Sequence, residues 1–277
     1  MTGTPASKEK VDRFRAMHKK GAAFLMPNFW DAGSARILEG LGYAALATTS
    51  AGFALSRGRP DYGVTRDEAI AHAAETCAAV KVPVSADLEN GFGPTPEDCA
   101  ETIRRAAMTG LCGGSIEDST GERANPIVEK SRAVERVAAA VEAARKAPQG
   151  FVLTARAEAF LYGDASLADV IARLQAYEAA GADVLFAPGL PDLDAVEAVC
   201  ASVSRPVNVL VYGALARHSA ADFAAAGVAR LSLGSTLPSE AYALLAEQAS
   251  ALKASGKFDM FGTRRAGQAT VRAVIGD

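Results

Sequence analysis

The sequence predicts a (β/α)8 barrel, and three observations lead there. Short, β-rich apolar runs alternate with alanine-rich helical stretches about eight times along the chain. Several of those runs are almost continuously apolar, as parallel strands covered on both faces must be. Several helical stretches also end in glycine just before the next run, as at Gly110, Gly181 and Gly227, where a left-handed cap closes a helix.

The expected strands cover 24–27, 44–50, 82–89, 113–118, 151–158, 184–188, 207–211 and 230–234. Helices are expected between them at 31–40, 65–80, 95–109, 128–146, 166–180, 193–203 and 219–226. The first of these opens on Asp31, a residue that caps helix N-termini. An open, doubly wound sheet is the rival architecture, but it would carry a glycine-rich phosphate turn after its first strand. Pro27-Asn28-Phe29-Trp30 stands there instead, which favours the barrel. An additional N-terminal helix, 8–20, precedes strand one. Helices at 239–254 and 258–275, the second with Gly262 near its start, follow strand eight. The chain reads as one barrel domain, 1–277, with 239–277 a C-terminal helical extension. That extension can pack on its own barrel or on a neighbouring subunit.

Bulk properties narrow the function. The formal net charge is −3 with no basic stripe, which argues against nucleic acid as a partner. No apolar run approaches the roughly 20 residues that a membrane span needs. Residues 1–10 are polar and lack the apolar core of a signal peptide. Cys77, Cys99, Cys112 and Cys200 are scattered without a CxxC pair, so reduced thiols in a cytoplasmic protein are expected. His18, His72 and His218 are too few and too dispersed for a zinc site.

The most informative stretch is Asp87-Leu88-Glu89-Asn90-Gly91-Phe92-Gly93. In an extended strand, residues two apart share a face, so Asp87 and Glu89 are expected side by side where strand three ends. Paired carboxylates repel unless a cation or proton lies between them. Barrel enzymes build their sites at the C-terminal strand ends, and more acids are expected there: Glu117-Asp118 after strand four and Glu158 after strand five. Asp61 lies in the loop after strand two and can reach the same rim. Asp87, Glu89, Glu117 and Asp61 are therefore the candidate metal ligands. Their all-oxygen character favours Mg²⁺, or Mn²⁺, over Zn²⁺. Arg156 adds a planar fork suited to a carboxylate. The turn Thr48-Thr49-Ser50-Ala51-Gly52 offers small side chains and backbone N–H groups to an oxyanion. Arg156, Asp61 and Glu122 are the candidate catalytic residues. Thr49, Ser50, Ala51, Asp87, Arg156 and Asn208 are the candidate substrate contacts, Asn208 having a hydrogen bond to the neighbouring strand as its alternative role. Arg123, Tyr212 and His218 are weaker acid–base candidates.

These pieces resemble the isocitrate lyase/phosphoenolpyruvate mutase superfamily. The matching segments are Asn28-Phe29-Trp30-Asp31-Ala32-Gly33-Ser34-Ala35-Arg36, Thr48 to Gly52 and Gly58-Arg59-Pro60-Asp61. They continue with Ala86 to Gly93, Ile116-Glu117-Asp118 and Thr154-Ala155-Arg156-Ala157-Glu158-Ala159-Phe160. The resemblance implies a TIM-type barrel whose C-terminal helices are swapped in dimers that pair into tetramers. It implies Mg²⁺ held directly by Asp87, with Asp61, Glu89 and Glu117 acting mainly through water. It further implies substrate held by Thr49, Ser50, Ala51 and Arg156, and bond cleavage next to a 2-oxo or 2-hydroxy carboxylate through a pyruvate-like enolate.

The departures are equally specific. The lyases carry a Lys-Lys/Arg-Cys-Gly-His motif after strand four, whereas this chain has the short Ser119-Thr120-Gly121-Glu122-Arg123-Ala124-Asn125-Pro126. Cys112 precedes strand four and cannot replace that cysteine. After strand six, Ala187-Pro188-Gly189 stands where relatives place a glutamate or histidine. The expected function is a Mg²⁺-dependent lyase cleaving a C–C or C–P bond of a small 2-oxo or 2-hydroxy acid. Phosphonopyruvate hydrolysis, oxaloacetate decarboxylation and catalytically silent dicarboxylate binding are the alternatives.

Overall fold

The computed structural model describes residues 3–163, 165–258 and 265–276. Its strands are β1 (Phe24–Leu25), β2 (Asn28–Phe29), β3 (Leu46–Thr48), β4 (Val84–Asp87), β5 (Gly113–Glu117), β6 (Val152–Arg156), β7 (Val184–Phe186), β8 (Val207–Leu210) and β9 (Arg230–Ser232). All pair in parallel, in the order β1-β9-β8-β7-β6-β5-β4-β3-β2. The two ends of that order, β1 and β2, are separated in the chain only by Met26 and Pro27. The sheet therefore curls onto itself, as in a TIM-like barrel. The first strand was expected in one piece. It is broken beside Pro27, which has no N–H to give a ladder. Its first half pairs with β9 and its second with β3.

Helices α1 (Lys8–Met17), α2 (Ala32–Gly40), α4 (Arg66–Ala79), α5 (Pro96–Ala106), α6 (Lys130–Lys146), α7 (Leu167–Ala179), α8 (Leu193–Ser202), α9 (Ala220–Ala225) and α10 (Thr236–Ser255) lie near their expected positions. Side-chain caps start most of them. Asp31, Thr65, Thr95 and Ser219 each close a reciprocal capping box, which satisfies two otherwise orphaned N–H donors. One α-helix was not expected: α3 (Ser50–Ser56), which begins on the small-residue turn after β3 with Thr49 as its cap. The final helix, α11 (Arg265–Ile275), packs against α2 of the same chain, with Arg36 donating to Val274 O at 3.1 Å. Gly262 falls outside the described residues. Among the described residues, no helix is long and apolar enough to cross a membrane.

The apolar core lies between the sheet and its helices, around fully buried Phe29, Leu46, Leu88, Ile116, Leu153 and Leu174. A second cluster, including Phe14, Met26 and Val152, fills the end where α1 lies. Polar residues, among them Glu117, Asn208 and Arg230, are buried inside the sheet.

Candidate active site

Register brings the site together. Glu117 on β5 lies beside Arg156 on β6, which lies beside Phe186 on β7 and then Asn208 on β8. Arg156 sits at the centre. Its Nε reaches Glu158 Oε1 at 2.8 Å, Nη1 reaches Asp87 Oδ1 at 2.8 Å, and Nη2 reaches Glu117 Oε2 at 3.2 Å. The guanidinium also lies over the Phe186 ring, 5.1 Å from its centroid. The fork expected to face substrate is thus largely committed to protein carboxylates.

Asp87 is held from several sides. Its backbone N–H donates to Thr48 Oγ1 at 2.8 Å, and the Ser50 N–H donates to its Oδ2 at 3.3 Å. The single hydroxyl proton of Ser50 is shared between Asp87 Oδ2 at 3.0 Å and Asp61 Oδ1 at 3.2 Å. Thr49 turns away to cap α3, accepting from Gly52 N–H at 3.3 Å.

Asp87 and Glu89 do meet, but strand alternation is not the reason. β4 ends at Asp87, and Glu89 adopts a left-handed backbone with φ of 48°. Such a conformation is costly for a residue with a Cβ and is characteristic of functional turns. Gly91 N–H closes that turn onto Leu88 O at 2.9 Å. Glu89 N–H donates back to Asp87 Oδ1 at 3.3 Å, while Glu89 Oε1 is buried with no hydrogen-bond partner.

The electrostatics follow from crowding. Five carboxylates (Asp61, Asp87, Glu89, Glu117 and Glu158) surround one arginine. Burial, then the charges of Asp87 and Asp61, pushes Glu89 up to about 8. Burial dominates at Glu117 and Glu158 as well, where it outweighs the attraction of Arg156 and raises both carboxyls. Asp61 is raised by the protein packed around its carboxyl and by Asp87. Such an excess of negative charge calls for protons or a cation. The donor set that could hold a hard divalent cation is Asp61, Asp87, Glu89 and Glu117, all oxygen. Among the described residues, no three acid, histidine or cysteine side chains are gathered closely enough to hold a metal ion as they stand.

Other expected residues lie elsewhere. Asp118 belongs to a structural network: Tyr177 O–H donates to Oδ2 at 2.6 Å, Arg173 at 3.2 Å, and Glu158 N–H donates to Oδ1 at 2.8 Å. Glu122 and Arg123 lie on the exposed loop after β5. Glu122 shares a surface groove with Tyr62 and Glu89 but makes no side-chain bond to the arginine network. Tyr212 is exposed, and His218 packs on Phe223. Cys112 is fully buried, and its three counterparts are buried as well. Asn208 makes the expected structural bond to β9, through Ser232, and also lines the cavity under Arg156. Sequence reasoning missed Tyr62, whose hydroxyl donates to Glu117, and Arg230 beneath the site. A lone arginine in the apolar run Val228-Ala229-Arg230-Leu231 was the available signal for the second.

A family model described as phosphoenolpyruvate phosphomutase matches residues 14–253. The chain belongs to the phosphoenolpyruvate mutase/isocitrate lyase superfamily. A solved lyase/mutase candidate from Burkholderia cenocepacia J2315 is 48% identical, with a TM-score of 0.90 over 96% of this chain and 95% of that one. An uncharacterised protein from Mycobacterium tuberculosis H37Rv is 33% identical over 80% of this chain and 81% of its own. The 2-methylisocitrate lyase of Escherichia coli K12 is 29% identical over 78% and 75%. The matching superfamily members also include an oxaloacetate decarboxylase and a 2,3-dimethylmalate lyase. The relatives named by activity are thus lyases and a decarboxylase, within a family described by a phosphomutase.

Proposed function

We propose that the protein is a Mg²⁺-dependent lyase cleaving a carbon–carbon bond of a small 2-oxo or 2-hydroxy acid, leaving a pyruvate-like enolate. One observation carries this reading. Five carboxylates face a single arginine, and one of them, Glu89, keeps a buried oxygen without a partner. A hard divalent cation fits that donor set. When bound, it would polarise the substrate's oxygen pair and stabilise enolate charge.

The chain's own residues do the positioning. Glu158 and Phe186 fix the plane of the Arg156 guanidinium. Ser50 fixes Asp87 through two donors, so the carboxylate needs little reorganisation when substrate arrives. Tyr62 O–H holds Glu117, and Ser119 Oγ lies 3.0 Å from Tyr162 Oη. Both contacts lie beside the short loop, where Gly121 meets the Tyr62 ring and donates to Ser119 Oγ.

A second reading, decarboxylation of a 2-oxo diacid, draws on that loop. Thr120 N–H donates to Pro126 O at 2.8 Å and Val128 N–H to Asp118 O at 2.8 Å, which ties it down as a tight hairpin. It presents no cysteine, and decarboxylation needs no base to begin. The test is a panel of 2-oxo and 2-hydroxy acids assayed by product formation with and without Mg²⁺. Metal-dependent turnover that is lost in Asp87→Ala is expected. Equal turnover by Asp87→Ala on every active compound would refute the site.

A further inference from the structure

The turn that carries Glu89 has left the strand ladder, so its carbonyls need other donors. Three of its residues are left-handed: Glu89 with φ of 48°, Gly91 with 82° and Phe92 with 58°. Glu89 O accepts from Glu117 N–H at 3.1 Å. Gly91 O accepts from the Thr102 hydroxyl at 2.8 Å and from Arg66 Nη2 at 3.2 Å, and the same nitrogen lies 3.2 Å from Phe92 O. The two carbonyls that remain, Asn90 O and Gly93 O, both accept from Arg136 Nη2, the second at 3.4 Å. Besides that, Asn90 O has only a weak contact from Cys99 Sγ at 3.6 Å.

Arg136 stands in the second turn of α6 and is 3% exposed. Arg66 has a carboxylate partner, Asp98 at 3.2 Å, but among the described residues Arg136 makes no ion pair. Its Nε is buried without a hydrogen-bond partner. Burying a guanidinium with no carboxylate is unfavourable, and an apolar side chain of similar length would fill the same space without that penalty. What the charge supplies is a pair of charge-assisted hydrogen bonds to backbone oxygens. Packing alone does not wedge the turn in place, because a groove of about 510 Å³ lies beside Asn90, Gly93, Thr120 and Arg136.

Asn90 extends the connection. Its Nδ2 donates to Thr120 O at 3.2 Å, in the hairpin after β5, and its Oδ1 accepts from Phe92 N–H at 3.1 Å. Arg136 therefore holds the backbone of a residue whose side chain grips the hairpin and whose chain neighbour is Glu89.

We propose that Arg136 is a positioning residue of the metal site: its guanidinium locks the 89–93 turn, so that the Glu89 carboxylate meets Asp87 and Asp61 in one fixed arrangement. Arg136 touches neither metal nor substrate in this role. The inference rests on the Mg²⁺-dependent reading above.

The sign of one effect separates this role from plain electrostatics. Removing a positive charge near a cation site tightens cation binding by Coulomb's law alone. Removing a clamp weakens it, and residues that orient metal ligands are typically worth 10-fold to 100-fold in affinity. The experiment titrates the full chain with Mn²⁺ alone and follows electron paramagnetic resonance, which reads both the amount bound and the symmetry of the ligands. Arg136→Met, which keeps the length and removes the charge, should bind Mn²⁺ at least about 10-fold more weakly than the parent, with an altered spectrum of the bound ion, while circular dichroism shows it folded. Arg136→Lys should recover affinity to within about 3-fold of the parent. Parental or tighter binding by a folded Arg136→Met overturns the proposal, and so does a lysine variant no better than the methionine one. Failure of both variants to fold makes Arg136 a determinant of the fold and overturns it as well. A parent that binds no Mn²⁺ would refute the metal-site reading itself, and the inference with it.

Discussion

Arg156 shows how much one residue carries in this site. It bonds three carboxylates, two of them buried, through three different nitrogens, a task that needs the rigid fork of arginine and not merely its charge. Arg156→Lys should therefore lower unfolding free energy by about 3 kcal/mol, because two acids lose their partner. It should also reduce turnover by at least ~100-fold. Urea titration and steady-state rates check the two effects separately; a variant with parental stability would contradict the network. His72 offers a prediction about pH. It is buried, stacked on Phe53 at 3.9 Å, with Nε2 3.0 Å from Trp30 O. Burial pulls it from 6.5 down to about 4. Below pH 6.5 the unfolded chain takes up a proton that the folded chain refuses, so this residue's contribution falls as pH falls. The parent's stability advantage over His72→Gln should thus shrink by up to about 2 kcal/mol between pH 7 and pH 5. A pH-independent difference would show that His72 titrates normally in the folded chain.

At the scale of elements, the turn after β4 is the decisive piece. Gly91 has φ of +82°, and a Cβ there would lie 2.8 Å from Cys99 Sγ and 3.1 Å from its Cα. Gly91→Ala should cost about 2–4 kcal/mol through left-handed strain and overpacking. It should also weaken Mg²⁺ binding, since the same turn sets the Glu89 backbone. Unfolding and metal titration on one sample would read both; an unchanged metal affinity would mean the turn is not what positions Glu89. This turn also marks the limit of what was legible in the sequence. Periodicity located nearly all the helices, and the acids at the strand ends were visible as a pattern. The pleat argument brought Asp87 and Glu89 together for the wrong reason, because the strand stops two residues before Glu89. Helix α3 was missed because Thr48-Thr49-Ser50-Ala51-Gly52 reads locally as a turn. Arg156's triple pairing depends on the register of β4, β5 and β6 and on Glu158 two residues on, and the Tyr62–Glu117 bond on a loop reaching β5, neither of which is written in local periodicity. Arg230 was readable only as a charge out of place in an apolar strand.

Across the whole molecule, the curled sheet explains why these groups meet at all. β3, β4, β5 and β6 are neighbours in the sheet, so segments over 100 residues apart in the chain deliver Ser50, Asp87, Glu117 and Arg156 to one mouth. The cost is a concentration of like charge that the folded chain does not neutralise with its own basic residues. The direct test is Mn²⁺ binding, followed by electron paramagnetic resonance in the parent and in Asp87→Ala. The expected result is one Mn²⁺ per parent chain, held more tightly when oxalate is added, with binding lost in a variant that remains folded. Stoichiometric Mn²⁺ binding of equal strength in Asp87→Ala would contradict it.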